Sequence, residues 1–278
     1  MKAGIGAAAL AALALAGCAR IRVDEQSVFL PRRSVAPADY AGSGFAVEDL
    51  FFAGDDGTRI NAWHLARPDA RATVLLFGGN GFYLVQSRGF VEAIARHPVN
   101  LFMMDYRGYG KSQGSPAVAT FLSDALAAYD LLKARFEPDP RRIIVHGHSV
   151  GSFAATLVAA ERSVAALVLQ NPATDGRDTL RHMVPWYARP FVRFDVAPAL
   201  LAESNLERIR RVPVPTLVAG GAADRITSPR MARDLYAASP APHKRLVIVE
   251  GGDHNGLSFD PGFQAAYAEI VASVSAER

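Results

Sequence analysis

The stretch Arg142-Ile143-Ile144-Val145-His146-Gly147-His148-Ser149-Val150-Gly151-Ser152 decides the reading of this chain. Arg142 to His146 carries a continuously apolar run, as expected of a strand buried on both faces. From Ser152 to Glu161 small and apolar residues follow a helical pattern. Between them Gly147-His148-Ser149-Val150-Gly151 matches G-x-S-x-G, the sharp strand-to-helix turn that exposes a serine hydroxyl at a helix N-terminus. Glycines on both sides remove side chains that would clash in the crowded turn. The partial positive charge of the helix end favours a developing oxyanion. The plain alternative is a glycine-flanked helix start without chemistry; strand before and helix after make the catalytic reading the stronger one.

Outward from this turn, short β-type runs alternate with helical patterns, which predicts a mostly parallel α/β sheet covered on both faces. Eight strands are expected, at 45–53, 58–66, 72–77, 99–105, 142–146, 165–170, 215–220 and 245–250. Helices are expected at 83–96, 118–135, 152–161, 229–238 and 261–276. Asp55-Asp56-Gly57 reads as a hairpin turn, so the sheet begins antiparallel. The stretch 172–212 has no strand partner in this scheme and, with Trp186, Tyr187, Phe191 and Phe194, reads as an inserted cap. Residues 19–44 mix charge, Pro, Ser and Gly and read as a tether, which leaves 45–278 as one catalytic domain.

A serine needs a base to take its proton and a third group to orient that base. Only His182, His243 and His254 follow Ser149. His182 falls in the cap and His243 precedes the last strand, at the wrong end of the sheet. His254 follows that strand across Gly251-Gly252-Asp253, where an imidazole can swing over the serine. For the acid, Asp224 follows the strand 215–220 across Gly221-Ala222-Ala223, on the rim where the serine emerges. Its rival Asp253 adjoins His254 in sequence and is read as shaping the loop. The backbone amide of Val150 is the first expected oxyanion donor. The second comes from the glycine-rich loop Gly78-Gly79-Asn80-Gly81, from Asn80 or else Gly79.

Composition excludes several classes. The chain has 278 residues, with 30 Lys and Arg against 27 Asp and Glu, scattered rather than clustered, so a nucleic-acid partner is not expected. Gly110-Lys111-Ser112 imitates the end of a phosphate-binding loop but lacks its first glycine, Asp105 standing there instead. No Gly-rich stretch after a strand gives G-x-G-x-x-G. His146 and His148 have no third ligand at metal spacing, so no metal is expected, nor any other cofactor. The single cysteine, Cys18, permits no intramolecular disulfide.

Cys18 ends an Ala/Leu-rich opening in which Lys2 precedes an apolar run from Ala3 to Ala16. That run is too short for a spanning helix and reads as an export signal. Leu15-Ala16-Gly17-Cys18 resembles a bacterial lipobox, which implies cleavage after Gly17 and a lipid anchor on Cys18. An ordinary secretory signal is the alternative. The lipobox reading implies a cell-envelope protein held to a membrane, and Ala19 after the cysteine favours the outer membrane.

Four segments carry a family resemblance: Phe77-Gly78-Gly79-Asn80-Gly81, Asp105-Tyr106-Arg107-Gly108-Tyr109-Gly110-Lys111-Ser112, the Ser149 turn, and Gly221-Ala222-Ala223-Asp224 with His254. Together they resemble the α/β-hydrolase superfamily, in particular a small esterase-like, abhydrolase-12/13/17-like branch, over about residues 45 to 275. That branch commonly has His-Gly-Asn where this chain has Gly78-Gly79-Asn80. The resemblance implies that residues 105–112 shape the site rim rather than supply a catalytic Asp105. The expected reaction is cleavage of a small carboxylic ester through an acyl-enzyme on Ser149. Thioesters, amides and lysophospholipids are open to the same triad. A non-catalytic envelope lipoprotein of the same fold is the alternative of another kind. Trp186, Tyr187 and Phe191 are candidates to line an acyl pocket beneath the cap, or else to pack the cap onto the domain.

Overall fold

A computed structural model describes residues 19–33 and 43–276; the leader with Cys18 and residues 34–42 of the tether lie outside it. The main sheet has eight strands: β2 (Ala46–Ala53), β3 (Arg59–Ala66), β4 (Ala72–Phe77), β5 (Val99–Met104), β6 (Ile143–His148), β7 (Ala166–Gln170), β9 (Thr216–Gly221) and β10 (Lys244–Val249). Their spatial order is β10-β9-β7-β6-β4-β5-β3-β2. β3 runs antiparallel to both β2 and β5, and every other neighbouring pair is parallel. At the β2–β3 hairpin Gly57 takes φ +79°, the left-handed backbone such a turn needs.

Alternation along the central strands builds two cores. Leu75 and Phe77 of β4 join Val145 of β6 beneath the helices Val118–Arg135 and Gly151–Glu161. Val74 and Leu76 point the other way, with Ile144, onto Phe263 and Tyr267 of the helix Pro261–Ala276. Strands buried on both faces demand continuous apolar sequence, which is why β4 and β6 were legible as runs.

Two expectations need correction. The cap contains a strand, β8 (Val192–Val196), and it pairs in parallel with β1 (Ala19–Val23), at the start of the segment read as a tether. Both alternate in character, as Ala-Arg-Ile-Arg-Val and Val-Arg-Phe-Asp-Val, but the pairing spans most of the chain and no local pattern announces it. Residues 19–33 are therefore a structured strap. Asp24 caps the short helix Glu25–Val28, and Phe29 is buried against Phe121 with ring centroids 5.7 Å apart. The Glu25 carboxylate accepts from the Val118 amide at 2.5 Å, capping a helix whose own N-cap, Ala117, offers no side-chain acceptor. Gly110 donates its amide to Arg32 at 2.9 Å.

Candidate active site

β6 delivers Ser149 into a turn that only small neighbours allow. Ser149 holds φ +53°, a left-handed conformation unusual for a residue with a side chain. A Cβ on Gly147 would lie 2.6 Å from the Gly151 carbonyl oxygen, and one on Gly151 only 2.1 Å from that of Phe77. Strand, turn and helix thus pack through bare backbone, and the strain is stored at the residue whose hydroxyl must stand free.

Three loops from separate strand ends converge there. His254 Nε2 lies 2.8 Å from Ser149 Oγ, and His254 Nδ1 lies 2.7 Å from Asp224 Oδ2. With Nδ1 protonated toward the carboxylate, Nε2 is left as an acceptor for the serine proton. Asp224 is 4% exposed. Its Oδ1 accepts from the amides of Ile226 and Thr227 at 2.7 and 3.0 Å. Burial acts to raise the Asp224 carboxyl, but the hydrogen bonds from His254, Ile226 and Thr227 outweigh it and hold it below its ordinary value. The acid is therefore ionised at neutral pH and fixes the imidazole's orientation. Asp253 turns back onto its own loop, accepting from the amides of Asn255 and Gly256 at 3.0 and 2.7 Å.

Several positioning groups carry no motif. Asn171, 1% exposed and at φ +45°, follows β7. Its amide donates to the carbonyls of Asp253 and His254 at 3.2 and 2.7 Å, and its Oδ1 accepts from Gly221 at 2.9 Å. One side chain thus ties the histidine loop to the strand that leads to the acid. His148, within the serine turn, donates from Nε2 to the same His254 carbonyl at 2.9 Å. Burial, helped by the nearby His254, pushes His148 down to about 4, so it stays neutral and does not compete for the serine proton. The Thr227 hydroxyl lies 2.8 Å from Asp224 Oδ2 and 3.0 Å from the Asn171 carbonyl, and its one proton serves either in turn. The only sequence signal for Asn171 is its type, since Asn tolerates left-handed backbone better than most residues.

The expected oxyanion donors flank Ser149. Val150 precedes the helix Gly151–Glu161, where the first amides have no intrahelical acceptor. A Cβ on Gly79 would come within 2.9 Å of His148 Nδ1 and 3.2 Å of Ser149 Cβ, so glycine is what lets this loop press against the serine. The Asn80 side chain is occupied elsewhere: its amide donates to the Val28 carbonyl, and Oδ1 accepts from the Leu30 amide and the Tyr109 hydroxyl, both at 3.0 Å. Only its backbone is free to face a substrate, and the side chain latches the strap to the loop.

A cavity of about 530 Å³ opens beside Ser149 and His254. Phe29, Phe121, Phe153, Leu180, Met183 and Ile226 are among its walls, so it takes apolar surface from strap, core helices and cap alike. Trp186 and Tyr187 do not line it. They stand on the cap surface, 77% and 64% exposed, and Phe191 is half-buried away from the cavity. Trp186 and Tyr187 lie on a turn that projects outward, Phe191 follows just after it, and the aromatic wall is supplied by Phe29 of the strap with Phe121 and Phe153 of the core helices. Among the described residues no three ligating side chains gather as a metal site.

Comparison with known proteins agrees with this architecture. A family profile described as serine aminopeptidase, S33, matches residues 68–204 and 188–261. Rv2307c of Mycobacterium tuberculosis is 31% identical over 250 residues, covering 89% of this chain and 86% of that protein. The α/β-hydrolase domain-containing protein aho-3 of Caenorhabditis elegans is 31% identical, covering 74% of this chain and 58% of its own length. Among solved structures, the Pyrococcus furiosus esterase Pf2001 superposes with a TM-score of 0.71 at 18% identity, covering 88% of this chain and 97% of that one. Acetyl xylan esterase 1 of Thermoanaerobacterium does so with a TM-score of 0.63 at 17% identity, covering 90% of each.

Proposed function

Because the chain belongs to the serine aminopeptidase S33 family of α/β-hydrolases, we propose that it is a serine esterase acting on carboxylic esters with an apolar acyl chain. The line of hydrogen bonds from Asp224 Oδ2 through His254 to Ser149 Oγ, at 2.7 and 2.8 Å, carries this reading. Ser149 Oγ attacks the ester carbonyl carbon while His254 Nε2 takes its proton. The amides of Val150 and Asn80, or Gly79 in its place, bind the resulting oxyanion. Collapse breaks the bond to the leaving alcohol, which receives the proton from Nε2 and departs, leaving an acyl group on Ser149. Water, deprotonated by the same imidazole, then attacks the acyl carbon and releases the acid. Asp224 stays ionised throughout and stabilises the imidazolium.

The cavity walls support the acyl preference, because apolar surface compensates no desolvated hydroxyl or amide. Each methylene buried there adds about 0.8 kcal/mol, or roughly fourfold in kcat/KM, until the cavity is filled. A fluorophosphonate probe and a chain-length series of aryl esters test the proposal. Labelling of wild type and not of Ser149→Ala is expected, with kcat/KM rising along the series. A folded wild type that neither labels nor turns over any ester overturns it, and faster turnover of matched thioesters reassigns the leaving group.

Lipid anchoring through Cys18 belongs to the same proposal and is supported by Leu15-Ala16-Gly17-Cys18. It places the enzyme in the cell envelope, at the outer membrane. Incorporation of labelled palmitate into wild type and not into Cys18→Ser is the expected result; equal incorporation removes the assignment.

A further inference from the structure

The outward turn that contradicted the pocket expectation has neighbours of its own. Val184 and Arg189, on either side of the turn at 185–188, both line a second groove of about 290 Å³ on the cap. The turn is closed by the Ala188 amide donating to the Pro185 carbonyl at 2.9 Å, and it presents Trp186 and Tyr187 edge to face, 5.9 Å apart. The floor of the groove is apolar, with Val192, Phe194 and Leu201, and its rim holds Arg177, Arg181 and Arg189. No carboxylate lines it. Asp178, on the same helix as Arg177 and Arg181, is held by Arg230 at 2.5 Å. Strand alternation turns Arg193 and Asp195 of β8 to the opposite face. Exposed Trp and Tyr beside an apolar groove edged with arginine is a combination that water alone does not stabilise. It does match a bilayer interface, where aromatic rings sit at headgroup depth and arginines meet phosphates.

We infer that the turn at 185–188 and the arginine-rimmed groove form a docking face for a bilayer containing anionic lipids. Two further observations fit this occupant. Ala19 of β1 pairs in register with Val192, which lines the groove, and Cys18, the residue proposed to carry the lipid anchor, directly precedes Ala19 in the sequence. The chain outside the described residues therefore joins the fold at the edge of this face. Leu180 and Val196 are also shared walls of the groove and the Ser149 cavity, and Met183, 55% exposed, lies at the cavity's border. A docked cap puts the cavity against the bilayer, from which an acyl substrate can pass without crossing water. The docking does not depend on the esterase reading, since it is set by groups outside the triad.

The chain's two tryptophans make the test direct, because Trp63 is fully buried and Trp186 is exposed. The full chain is reconstituted into vesicles of phosphatidylcholine alone or of equal parts phosphatidylcholine and phosphatidylglycerol, with brominated lipid as quencher. Trp186→Phe supplies the Trp63 baseline, whose blue emission also reports that each variant is folded. In mixed vesicles the Trp186 emission should shift to the blue and be quenched by brominated lipid. Arg177→Gln, Arg181→Gln and Arg189→Gln together should lower the docked-to-undocked ratio roughly hundredfold, at about fivefold per arginine. High salt should do the same. Trp186 emission that stays water-like and open to aqueous iodide on mixed vesicles overturns the inference, as does quenching that is indifferent to the three arginines. A Trp186 shift that follows protein concentration without vesicles makes a second copy the occupant and overturns it too.

Discussion

Replacing Asn171 isolates how the histidine loop is held. Asn171→Ala removes two hydrogen bonds to loop carbonyls and one from the Gly221 amide, in a site 1% exposed. The Gly221 amide is left buried and unpaired at roughly 1 to 3 kcal/mol, the part-buried Asp253 carbonyl loses its donor at the lower end of that range, and the His254 carbonyl keeps His148, so a loss of about 2–4 kcal/mol in unfolding free energy is expected. Alanine must also adopt φ +45°, where glycine has no penalty. Asn171→Gly should therefore lose the same hydrogen bonds yet unfold about 1 kcal/mol later than Asn171→Ala, even though glycine gains more entropy on unfolding. The kinetic effect is distinct. A shift of about 1 Å in the imidazole costs on the order of a hundredfold in rate, whereas the acyl cavity is walled by other residues, so kcat should fall with KM nearly unchanged. Urea denaturation and steady-state hydrolysis of an aryl ester provide both numbers. Wild-type kcat in a folded Asn171→Ala, or an alanine variant as stable as the glycine one, would show that the reasoning about this side chain is wrong.

Gly79→Ala places a methyl 2.9 Å from His148 Nδ1 and must displace the loop, so kcat should drop by about a hundredfold, with about 1–3 kcal/mol lost in unfolding free energy; an unimpaired kcat argues that the second oxyanion donor lies elsewhere. Phe29→Ala opens the strap side of the cavity, costing about 3 kcal/mol of stability and shifting the optimum of the ester series to longer chains, so an unmoved optimum refutes the strap as a wall. Asp105 gives a pH prediction: burial pushes its carboxyl up to about 6, against hydrogen bonds from the Leu84 and Lys111 amides. Between its ordinary value of 3.8 and 6 the folded chain holds a proton that the unfolded chain has released, so stability falls as pH rises through that window. The whole fall is about 3 kcal/mol for this group, of which about 2 kcal/mol lies above pH 4, so Asp105→Asn, compared by urea titration at pH 4 and pH 7, should flatten the profile by about 2 kcal/mol; an unchanged profile assigns the proton to another group.

The chain's own order of residues determined most of the scaffold. The stretches 74–77 and 143–145 of two central strands are apolar throughout because they are covered on both faces, and a run of that kind can be read without knowing what covers it. The serine turn is equally local, since Gly147 and Gly151 are required by backbone contacts within one strand–turn–helix unit. His254 and Asp224 were reachable by elimination and chain order, each lying just after a strand that ends on the same rim. What only the tertiary structure decided was contact between distant and locally unremarkable residues. The parallel pairing of Ala19–Val23 with Val192–Val196 is specified by alternating short segments far apart in the chain, each of which alone passes for tether or cap. Which aromatic residues face the cavity depends on the direction of one turn, so Phe29 and Phe121 became wall while Trp186 and Tyr187 became surface. Asn171 gained its role from three partners, two on the histidine loop and one at the end of the strand Thr216–Gly221. Local patterns record how a segment is buried; they do not record against what, because hydrophobic burial is indifferent to the identity of its partner.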